Sequence, residues 1–306
     1  MAKPRALKPG STVRIVTPAS PLTMEKISFA ISLMEGWGLK VEFGKHTFDA
    51  DHHLAGSDSD RAQDQTDAFL DDNVDMVLCS RGGYGCARLF PFLDLNRLAS
   101  SNKLFGGFSD ITTLHLAFNQ LGLPTLHCPM PLTLSVPRAD WVIESFRAAI
   151  FGENPIPVAA DKGKTVVGGI AEGITTGGCL CLLTDSIGTP FPLSCEDKIV
   201  IIEDVDEAPH RIDAMLTHLL NEGSIKRAAG IVVGEMTRTD DRTDEGIGGK
   251  PWKEILRERL GHLGIPMIVD FPLGHAPQML SLPLGIRARL DASQGTLTYT
   301  ESLCEN

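Results

Sequence analysis

Short apolar runs alternate with helix-like segments through the first half of the sequence. Strands are predicted over 13–17, 39–43, 76–79, 104–105 and 125–128, and helix-like segments lie between most of them. Strands that alternate with helices form a parallel sheet whose two faces are covered by those helices. Since ligands of such sheets bind beyond the carboxyl ends of the strands, residues that directly follow a strand are the first candidates for a functional site.

A change of composition near the middle of the chain predicts a second domain. Residues 151–164 contain prolines and glycines with little periodicity, so we place a linker there, between a first domain over 1–150 and a second over 165–306. The second part has predicted strands over 198–202, 229–233 and 267–271, a helix over 208–222 and a hairpin over 285–300. The sequence therefore predicts an α/β protein of two domains.

The charge balance argues against two classes of partner. The formal net charge is −11 and no basic run interrupts the chain, so we expect neither nucleic acid nor an anionic membrane as a partner. The N-terminus lacks the apolar core of a signal peptide, and no segment approaches the ~20 apolar residues that span a bilayer. A cytoplasmic protein is therefore expected.

The cysteines predict neither a disulfide framework nor a zinc site. The chain has seven, an odd number, and they are scattered. Cys179 and Cys181 are too close for an ordinary disulfide with each other, and no Cys-x-x-Cys or paired-histidine motif has zinc spacing. We expect reduced cysteines and no metal or other cofactor.

A strand, a sharp turn and a helix are predicted around Ser109. An apolar run ends in Gly106 and Gly107, the serine follows one residue later, and the helix-like segment 111–120 comes next. Glycine before the serine relieves the strain of such a turn, and the turn lifts the hydroxyl out of the sheet. The backbone N–H of Asp110 then lies near a helix N-terminus, where negative charge is favoured. The pattern predicts a nucleophile, although a Gly-x-Ser also occurs as a plain helix N-cap.

A serine nucleophile needs a base and an acid that orients it. His275 follows a buried strand and a glycine, which is where catalytic groups collect, and His127 at another strand end competes with it. Glu203 is the first polar residue after four apolar ones, so its carboxylate is expected to be partly buried and fixed. The remaining candidate acids are Asp204, Asp206 and Glu207, of which the last two also suit a solvated cap of the next helix.

The glycine-rich loop from Arg81 to Gly85 resembles a phosphate cradle but lacks the Lys-Ser/Thr of a P-loop and the spacing of a dinucleotide fingerprint. A glycine pair at a strand end also lets backbone N–H groups approach a substrate oxygen, as an oxyanion hole requires. Both interpretations stay open on the motif alone.

Together these segments resemble the LD-carboxypeptidase family of serine peptidases, the muramoyltetrapeptide carboxypeptidases, which includes the microcin C self-immunity peptidases. The resemblance covers nearly the whole chain. The matching pieces, in order, are Pro9-Gly10 with Thr17-Pro-Ala-Ser20, Ala55-Gly56-Ser57 with Arg61, Arg81-Gly-Gly-Tyr-Gly85, Gly107-Phe-Ser-Asp110, Gly188-Thr189-Pro190, Ile202-Glu203-Asp204, and Gly274-His275 with Leu282-Pro283-Leu284-Gly285. One departure is Phe108, where the family usually has tyrosine.

The resemblance implies a Rossmann-like N-terminal domain with a parallel sheet and a smaller, mixed α/β C-terminal domain. It implies a Ser–His–Glu triad formed by Ser109, His275 and Glu203, with the serine from the first domain and the other two from the second. Backbone N–H groups of Asp110 and Gly83 would form the oxyanion hole. The substrate-binding candidates of the same loop are Arg81, Gly82 and Tyr84.

The function implied is a metal-free cytoplasmic serine carboxypeptidase that releases terminal D-alanine from murein tetrapeptides during peptidoglycan recycling. Its partner is a small peptide, Arg81 is placed to bind the peptide's carboxylate unless it forms a structural salt bridge, and we expect a homodimer. One alternative is a microcin C self-immunity-type peptidase that cleaves aminoacyl-adenylate analogues. Another is a non-catalytic module that binds a phosphate ligand. Segment 237–249 matches no motif, and substrate choice is one role that it can have.

Overall fold

The computed structural model describes residues 3–160, 162–244, 246 and 248–305, which fold into two compact units. The first unit holds the described residues up to Pro157 together with Leu280–Gly285 and those from Ser302 onward. The second unit holds the described residues of Val158–Met279 and of Ile286–Glu301. The predicted α/β class with two domains is confirmed, and the chain visits the first unit again near its end.

Each strand predicted from the sequence has a counterpart among the described residues. In chain order they are β1 (Thr12–Val16), β2 (Lys40–Phe43), β3 (Met76–Cys79), β4 (Leu104–Gly107), β5 (Thr125–His127), β6 (Lys164–Val167), β7 (Ile170–Cys179), β8 (Lys198–Val205), β9 (Gly230–Thr237), β10 (Met267–Val269), β11 (Leu282–Leu284), β12 (Arg287–Asp291) and β13 (Thr296–Tyr299).

The α-helices lie mainly between those strands. In chain order they are α1 (Ser28–Gly36), α2 (Asp58–Leu70), α3 (Leu95–Ala99), α4 (Thr112–Gln120), α5 (Pro131–Leu134), α6 (Asp140–Ile150), α7 (Leu180–Asp185), α8 (Pro209–Glu222) and α9 (Trp252–Leu260). Short 3₁₀ turns are Met24–Ile27, Cys86–Phe92, Ser109–Ile111, Ser224–Arg227, Asp240–Arg242 and Gly261–Leu263. The 3₁₀ turn over Cys86–Phe92 stands where a helix-like segment is predicted, because Pro91 cannot supply the N–H of a regular α-helix.

The sheet of the first unit has the strand order β11-β5-β4-β3-β1-β2. The pairs from β2 to β5 are parallel, as predicted, and β3 and β4 are buried along their whole length. β11 adds an antiparallel edge, pairing Leu282 with His127 and Leu284 with Thr125. Leu280–Gly285, which the sequence analysis includes in the second domain over 165–306, therefore belongs to the first unit because its backbone completes that sheet.

The sheet of the second unit is mixed, with the order β13-β12-β7-β8-β9-β10-β6. Its centre, from β7 to β10, is parallel, and its edges are antiparallel. β8 continues to Val205, three residues beyond the predicted end, with an irregular register between Ile202 and Asp204. Two acidic side chains, Glu203 and Asp204, are thereby fixed within a buried strand.

Candidate active site

Ser109 occupies a strained turn between a strand and a helix. β4 ends at Gly107, Phe108 is extended, and Ser109 has a φ of 65° before the 3₁₀ turn that leads into α4. A non-glycine residue at positive φ is uncommon and costs energy, and such strain collects at functional sites. The serine is half-buried. The local geometry is that of a nucleophile elbow.

The backbone of Gly82 lies directly against this turn. A Cβ placed on Gly82 would be 2.8 Å from Ser109 Cβ, 2.9 Å from Ser109 Oγ and 3.3 Å from the backbone N of Asp110. The space beside Gly82 is thus shared by the serine hydroxyl and a backbone donor. Any side chain here would collide with the serine, which explains why this position is glycine.

Ser20 forms hydrogen bonds to the glycine-rich loop from Arg81 to Gly85. In the sequence it belongs to a matching motif, but nothing there predicts these bonds. Its backbone N–H donates to the carbonyl of Gly82 at 3.4 Å, and its Oγ accepts from the N–H of Tyr84 at 3.4 Å. Gly83, between these two residues, packs against the Ser20 side chain. The loop that carries the candidate oxyanion donor is therefore held at both ends by one serine.

The Asp110 side chain ties the turn to the same loop. It is buried, and its Oδ2 accepts a hydrogen bond of 2.8 Å from the backbone N–H of Cys86. Burial raises the pKa of the Asp110 carboxyl, although hydrogen bonds from Cys86 and the charge of Arg61 oppose that rise. The carboxyl thus has a structural task, which is to hold the turn against the loop.

Two histidines of the first unit are buried. His115, which the sequence places among polar-loop or helix settings, contacts the carbonyl of Gly107 through Nε2 and the hydroxyl of Thr125 through Nδ1, both at 2.9 Å. Burial lowers the pKa of His115 to about 3, so the ring is neutral and supports the end of β4. His127, the competing base, is fully buried and packs edge-on against Phe108.

Arg81 lies beside the glycine loop and is half-buried. Its Nε donates to the carbonyl of Gly82 and its Nη1 to the carbonyl of Pro21, each at 3.1 Å. None of the ion pairs found among the described residues involves Arg81, so the structural salt bridge considered from the sequence is not seen there. Burial lowers the pKa of its guanidinium. Tyr84, further along the loop, has a side chain that is 53% exposed.

In the second unit, Glu203 and His275 form a hydrogen-bonded pair. Glu203 Oε2 lies 2.7 Å from Nδ1 of His275 and also accepts a 3.2 Å hydrogen bond from the backbone N–H of His275. Glu203 is fully buried, whereas the His275 side chain keeps 18% of its surface exposed. A buried carboxylate that accepts from Nδ1 fixes the ring and leaves Nε2 to exchange a proton.

Gly274 makes that pair possible. Its φ is 88°, and a Cβ at this position would lie 2.5 Å from Oε2 and 2.6 Å from Cβ of Glu203. Glycine is required before His275 for two reasons: the backbone is left-handed there, and a side chain would collide with the Glu203 carboxylate. The sequence marks this glycine as part of a motif but gives no reason for it.

The other three candidate acids have partners of their own. Asp204 accepts from the N–H of Cys181 at 2.8 Å and from its neighbour's N–H at 2.7 Å. Asp206 binds two arginines, and Glu207 lies 3.6 Å from the guanidinium of Arg211. Of the four candidate acids, Glu203 is therefore the one that the hydrogen bonds link to His275.

The charges around His275 favour its protonated form. Burial alone would lower the pKa of His275, but the charge and hydrogen bond of Glu203, with smaller contributions from Asp204 and Asp206, raise it overall. Asp204 is itself affected, because burial and the neighbouring Glu203 raise its pKa to about 7. The carboxylates on β8 and just after it therefore make the imidazole more basic than burial alone would leave it.

The structure thus assembles the predicted site residues in two groups. Within the first unit it brings the Ser109 turn against Gly82, with Asp110 in the turn and Arg81, Gly83 and Tyr84 in the adjoining loop. Within the second it joins Glu203 to His275. A third group of side chains includes none of these residues. Among the described residues, Cys179, Cys181 and Asp204 are the set whose donor atoms are close enough to hold a metal ion.

No helix in the described part of the chain combines the length and apolar character needed to cross a bilayer.

Comparisons with known proteins identify the family of the chain. The LD-carboxypeptidase N-terminal domain matches residues 13–128, and the LD-carboxypeptidase C-terminal domain matches residues 172–290. A Streptomyces coelicolor protein provisionally named a carboxypeptidase is 38% identical over 311 residues, covering 99% of this chain and 98% of its own. The murein tetrapeptide carboxypeptidase of Pseudomonas aeruginosa is 29% identical, covering 92% and 94%.

Solved structures give the same result. The muramoyltetrapeptide carboxypeptidase of Oxalobacter formigenes superposes with a TM-score of 0.81 at 26% identity, over 93% of this chain and 97% of that one. MccF in complex with glutamyl sulfamoyl guanosine shares the fold, with a TM-score of 0.87 at 20% identity and full coverage of both chains. The chain belongs to the LD-carboxypeptidase family, peptidase family S66, a family of hydrolases.

Proposed function

We propose that this protein is a serine carboxypeptidase that releases the terminal D-alanine of murein tetrapeptides, with Ser109 as nucleophile, His275 as base and Glu203 as the acid that orients the base. The observation that carries the proposal is the strained φ of 65° at Ser109 on a strand-to-helix turn. A helix N-cap does not need this strain, whereas a nucleophile elbow does. Family membership adds independent support.

In the proposed reaction, Ser109 Oγ attacks the carbonyl carbon of the last peptide bond while Nε2 of His275 takes its proton. The tetrahedral oxyanion accepts hydrogen bonds from the backbone N–H groups of Asp110 and Gly83. His275 then gives the proton to the D-alanine nitrogen, the C–N bond breaks, and an acyl-enzyme remains. Water, deprotonated by the same imidazole, hydrolyses the ester and restores Ser109.

Glu203 has two tasks in this reaction. Its hydrogen bond to Nδ1 favours the tautomer in which Nε2 carries the lone pair that accepts a proton. Its negative charge stabilises the imidazolium that forms during attack, and the raised pKa of His275 is the measure of that effect. Glu203 does not need to become protonated itself.

A carboxypeptidase must bind the terminal carboxylate of its peptide substrate. We assign this recognition to Arg81, because its guanidinium lies next to Gly82, donates to backbone carbonyls, and forms no ion pair with any described carboxylate. The exposed ring of Tyr84 and the backbone of Gly82 complete the proposed binding surface. Relatives named as murein peptide carboxypeptidases support a murein peptide as the substrate. The D-alanine leaving group, the place in cytoplasmic cell-wall recycling and the homodimer are parts of the proposal that come from the sequence resemblance.

The proposal is tested with two tetrapeptides that differ only in the configuration of the last alanine. Inversion moves the methyl group or pulls the carboxylate from its cation, and a misplacement of about 1 Å can cost roughly 10²-fold. We expect kcat/KM for the D-alanine peptide to exceed that for its L-epimer by about 100-fold or more, with product identity established by mass spectrometry. A Ser109→Ala preparation controls for host enzymes.

Two outcomes would assign the protein differently. Equal rates on the two epimers, together with cleavage of an aminoacyl sulfamoyl nucleoside, would favour the microcin C self-immunity-type activity. Absence of any labelling by a fluorophosphonate probe would favour the non-catalytic, phosphate-binding module, because the probe reacts only with an activated nucleophile.

A further inference from the structure

Two thiols and one carboxylate meet in the second unit where β7 ends beside β8. Cys179 Sγ lies 3.5 Å from Cys181 Sγ and 3.4 Å from Oδ1 of Asp204, and one donor atom from each of the three residues lies within 4.8 Å of the others. The register of the parallel pair β7 and β8 brings Cys179 alongside Glu203, so residues distant in sequence meet here.

The spacing of these atoms matches a tetrahedral metal site. Zinc binds thiolate sulfur at about 2.3 Å and carboxylate oxygen at about 2.0–2.2 Å, so tetrahedral ligands stand about 3.8 Å apart for two sulfurs and about 3.5–3.7 Å apart for sulfur and oxygen. The observed 3.5 Å and 3.4 Å separations need only a few tenths of an ångström of adjustment. The third pair of donors, Cys181 Sγ and an Asp204 oxygen, also lies within 4.8 Å, so the three donors already stand close together.

The surroundings favour a cation at this place. Glu203 and Asp204 are adjacent, nearly fully buried carboxyl groups, and two negative charges buried this close together attract a cation. Backbone N–H groups of Cys181 and Val205 donate to the Asp204 carboxylate and hold it in position, as hydrogen bonds to a ligating carboxylate do in metal sites. Cys181 is partly exposed, which gives an ion a route from solvent.

We propose that Cys179, Cys181 and Asp204 bind one thiophilic divalent cation, such as Zn²⁺, with water as the fourth ligand. The mixed sulfur and oxygen donors suit zinc and its analogues Co²⁺ and Cd²⁺ better than Mg²⁺ or Ca²⁺, which prefer oxygen alone. Binding releases the two thiol protons to solvent and leaves no protein group oxidised.

Metal binding at these three residues does not rest on the proposed function, because the ligands do not include Ser109, Glu203 or His275. Replacing two thiol protons by one divalent cation leaves the net charge of the cluster unchanged, and the cation takes no part in the proposed reaction.

The binding is tested on the full-length chain, stripped of metal and kept reduced with a phosphine. Titration with Co²⁺ is expected to produce sulfur-to-cobalt charge-transfer absorption that saturates at one ion per chain and disappears when Zn²⁺ is added. Cys181→Ser removes a ligand at a partly exposed position and should weaken Co²⁺ binding at least tenfold. Cys304→Ser removes a buried thiol of the first unit and serves as the matched control, with binding unchanged.

Charge-transfer absorption that is absent in wild type, or that persists unchanged in Cys181→Ser, overturns the site. If no hydrolysis is found at all, the proposed function fails while the cobalt spectra still decide the metal site.

Discussion

Glu203 Oε2 accepts two hydrogen bonds from His275, one from ring Nδ1 at 2.7 Å and one from the backbone N–H at 3.2 Å. The first bond fixes the ring, and the second fixes the chain that carries it. Gly274 lets the backbone pass over the carboxylate at the distance that both bonds require. The pair is therefore a rigid unit, formed between a buried strand and the loop that follows β10.

Replacing the acid of this pair should affect turnover far more than replacing a nearby acid. Glu203→Gln keeps the shape but removes the charge that stabilises the imidazolium, so kcat should fall by about 10²- to 10⁴-fold, as for an altered triad acid. Glu207→Gln, at a partly exposed carboxylate beside Arg211, should stay close to wild type. Steady-state kinetics on both variants decide the matter, and the reverse ranking would show that the acid is misassigned.

The acid limb of the pH profile should report the raised pKa of His275. The imidazole must be neutral to accept the serine proton, so activity rises as pH passes upward through its pKa. Because Glu203, Asp204 and Asp206 raise this pKa, the limb should lie above that of an ordinary histidine. In Glu203→Gln the charge of Glu203 is gone while burial still lowers the pKa of His275, so the limb should move to lower pH. Profiles of kcat/KM against pH, recorded with chelator present, test this. A limb that does not move in the variant would mean that a group other than His275 titrates there.

A methyl group on Gly82 should block the space beside the nucleophile. The added Cβ would lie within 2.9 Å of Ser109 Oγ and 3.3 Å from the N of Asp110. We expect Gly82→Ala to stay folded and to lose about 10²- to 10³-fold in kcat, the usual cost of a lost oxyanion donor. Gly36→Ala, at an exposed helix end with no atom within 4 Å, is the control. Thermal unfolding and kinetics are measured on the same preparations. Near-normal turnover in Gly82→Ala would mean that this loop takes no part in the reaction.

Removing the Arg81 guanidinium should weaken substrate binding. A hydrogen bond to a charged group contributes about 1.5–3 kcal/mol, so Arg81→Ala should raise KM by on the order of 10- to 100-fold with a smaller change in kcat. Arg88→Ala, which removes an exposed arginine paired with Asp58, is the matched control. An unchanged KM in Arg81→Ala would mean that another group binds the terminal carboxylate.

The architecture was largely predictable because it rests on local patterns. Strand β3 begins and ends where the apolar run 76–79 predicts, and α8 agrees to within one residue because its buried stripe and its first-turn proline are both sequence signals. The course of β11 was not predictable, since its pairing with β5 joins segments more than 150 positions apart. No periodicity reports such a non-local contact.

In the candidate site, too, local sequence patterns predict some residues, whereas non-local strand pairing determines others. Ser109 could be found because a strand, glycines and a helix are consecutive in the sequence, and the structure adds its positive φ. The continuation of β8 through Glu203 and Asp204 was missed, because two adjacent acids contradict the pattern of a buried strand. The meeting of Cys179 with Asp204 depends on the register of β7 against β8, which the sequence does not encode locally.

The central claim, that Ser109 is the nucleophile, is tested most directly by kcat/KM of Ser109→Ala on a murein tetrapeptide, measured beside wild type purified in parallel. Loss of a triad nucleophile typically costs several orders of magnitude, so we predict a fall of about 10⁴-fold or more with an unchanged thermal unfolding midpoint. Activity within tenfold of wild type, in a preparation free of host enzyme, would contradict the account.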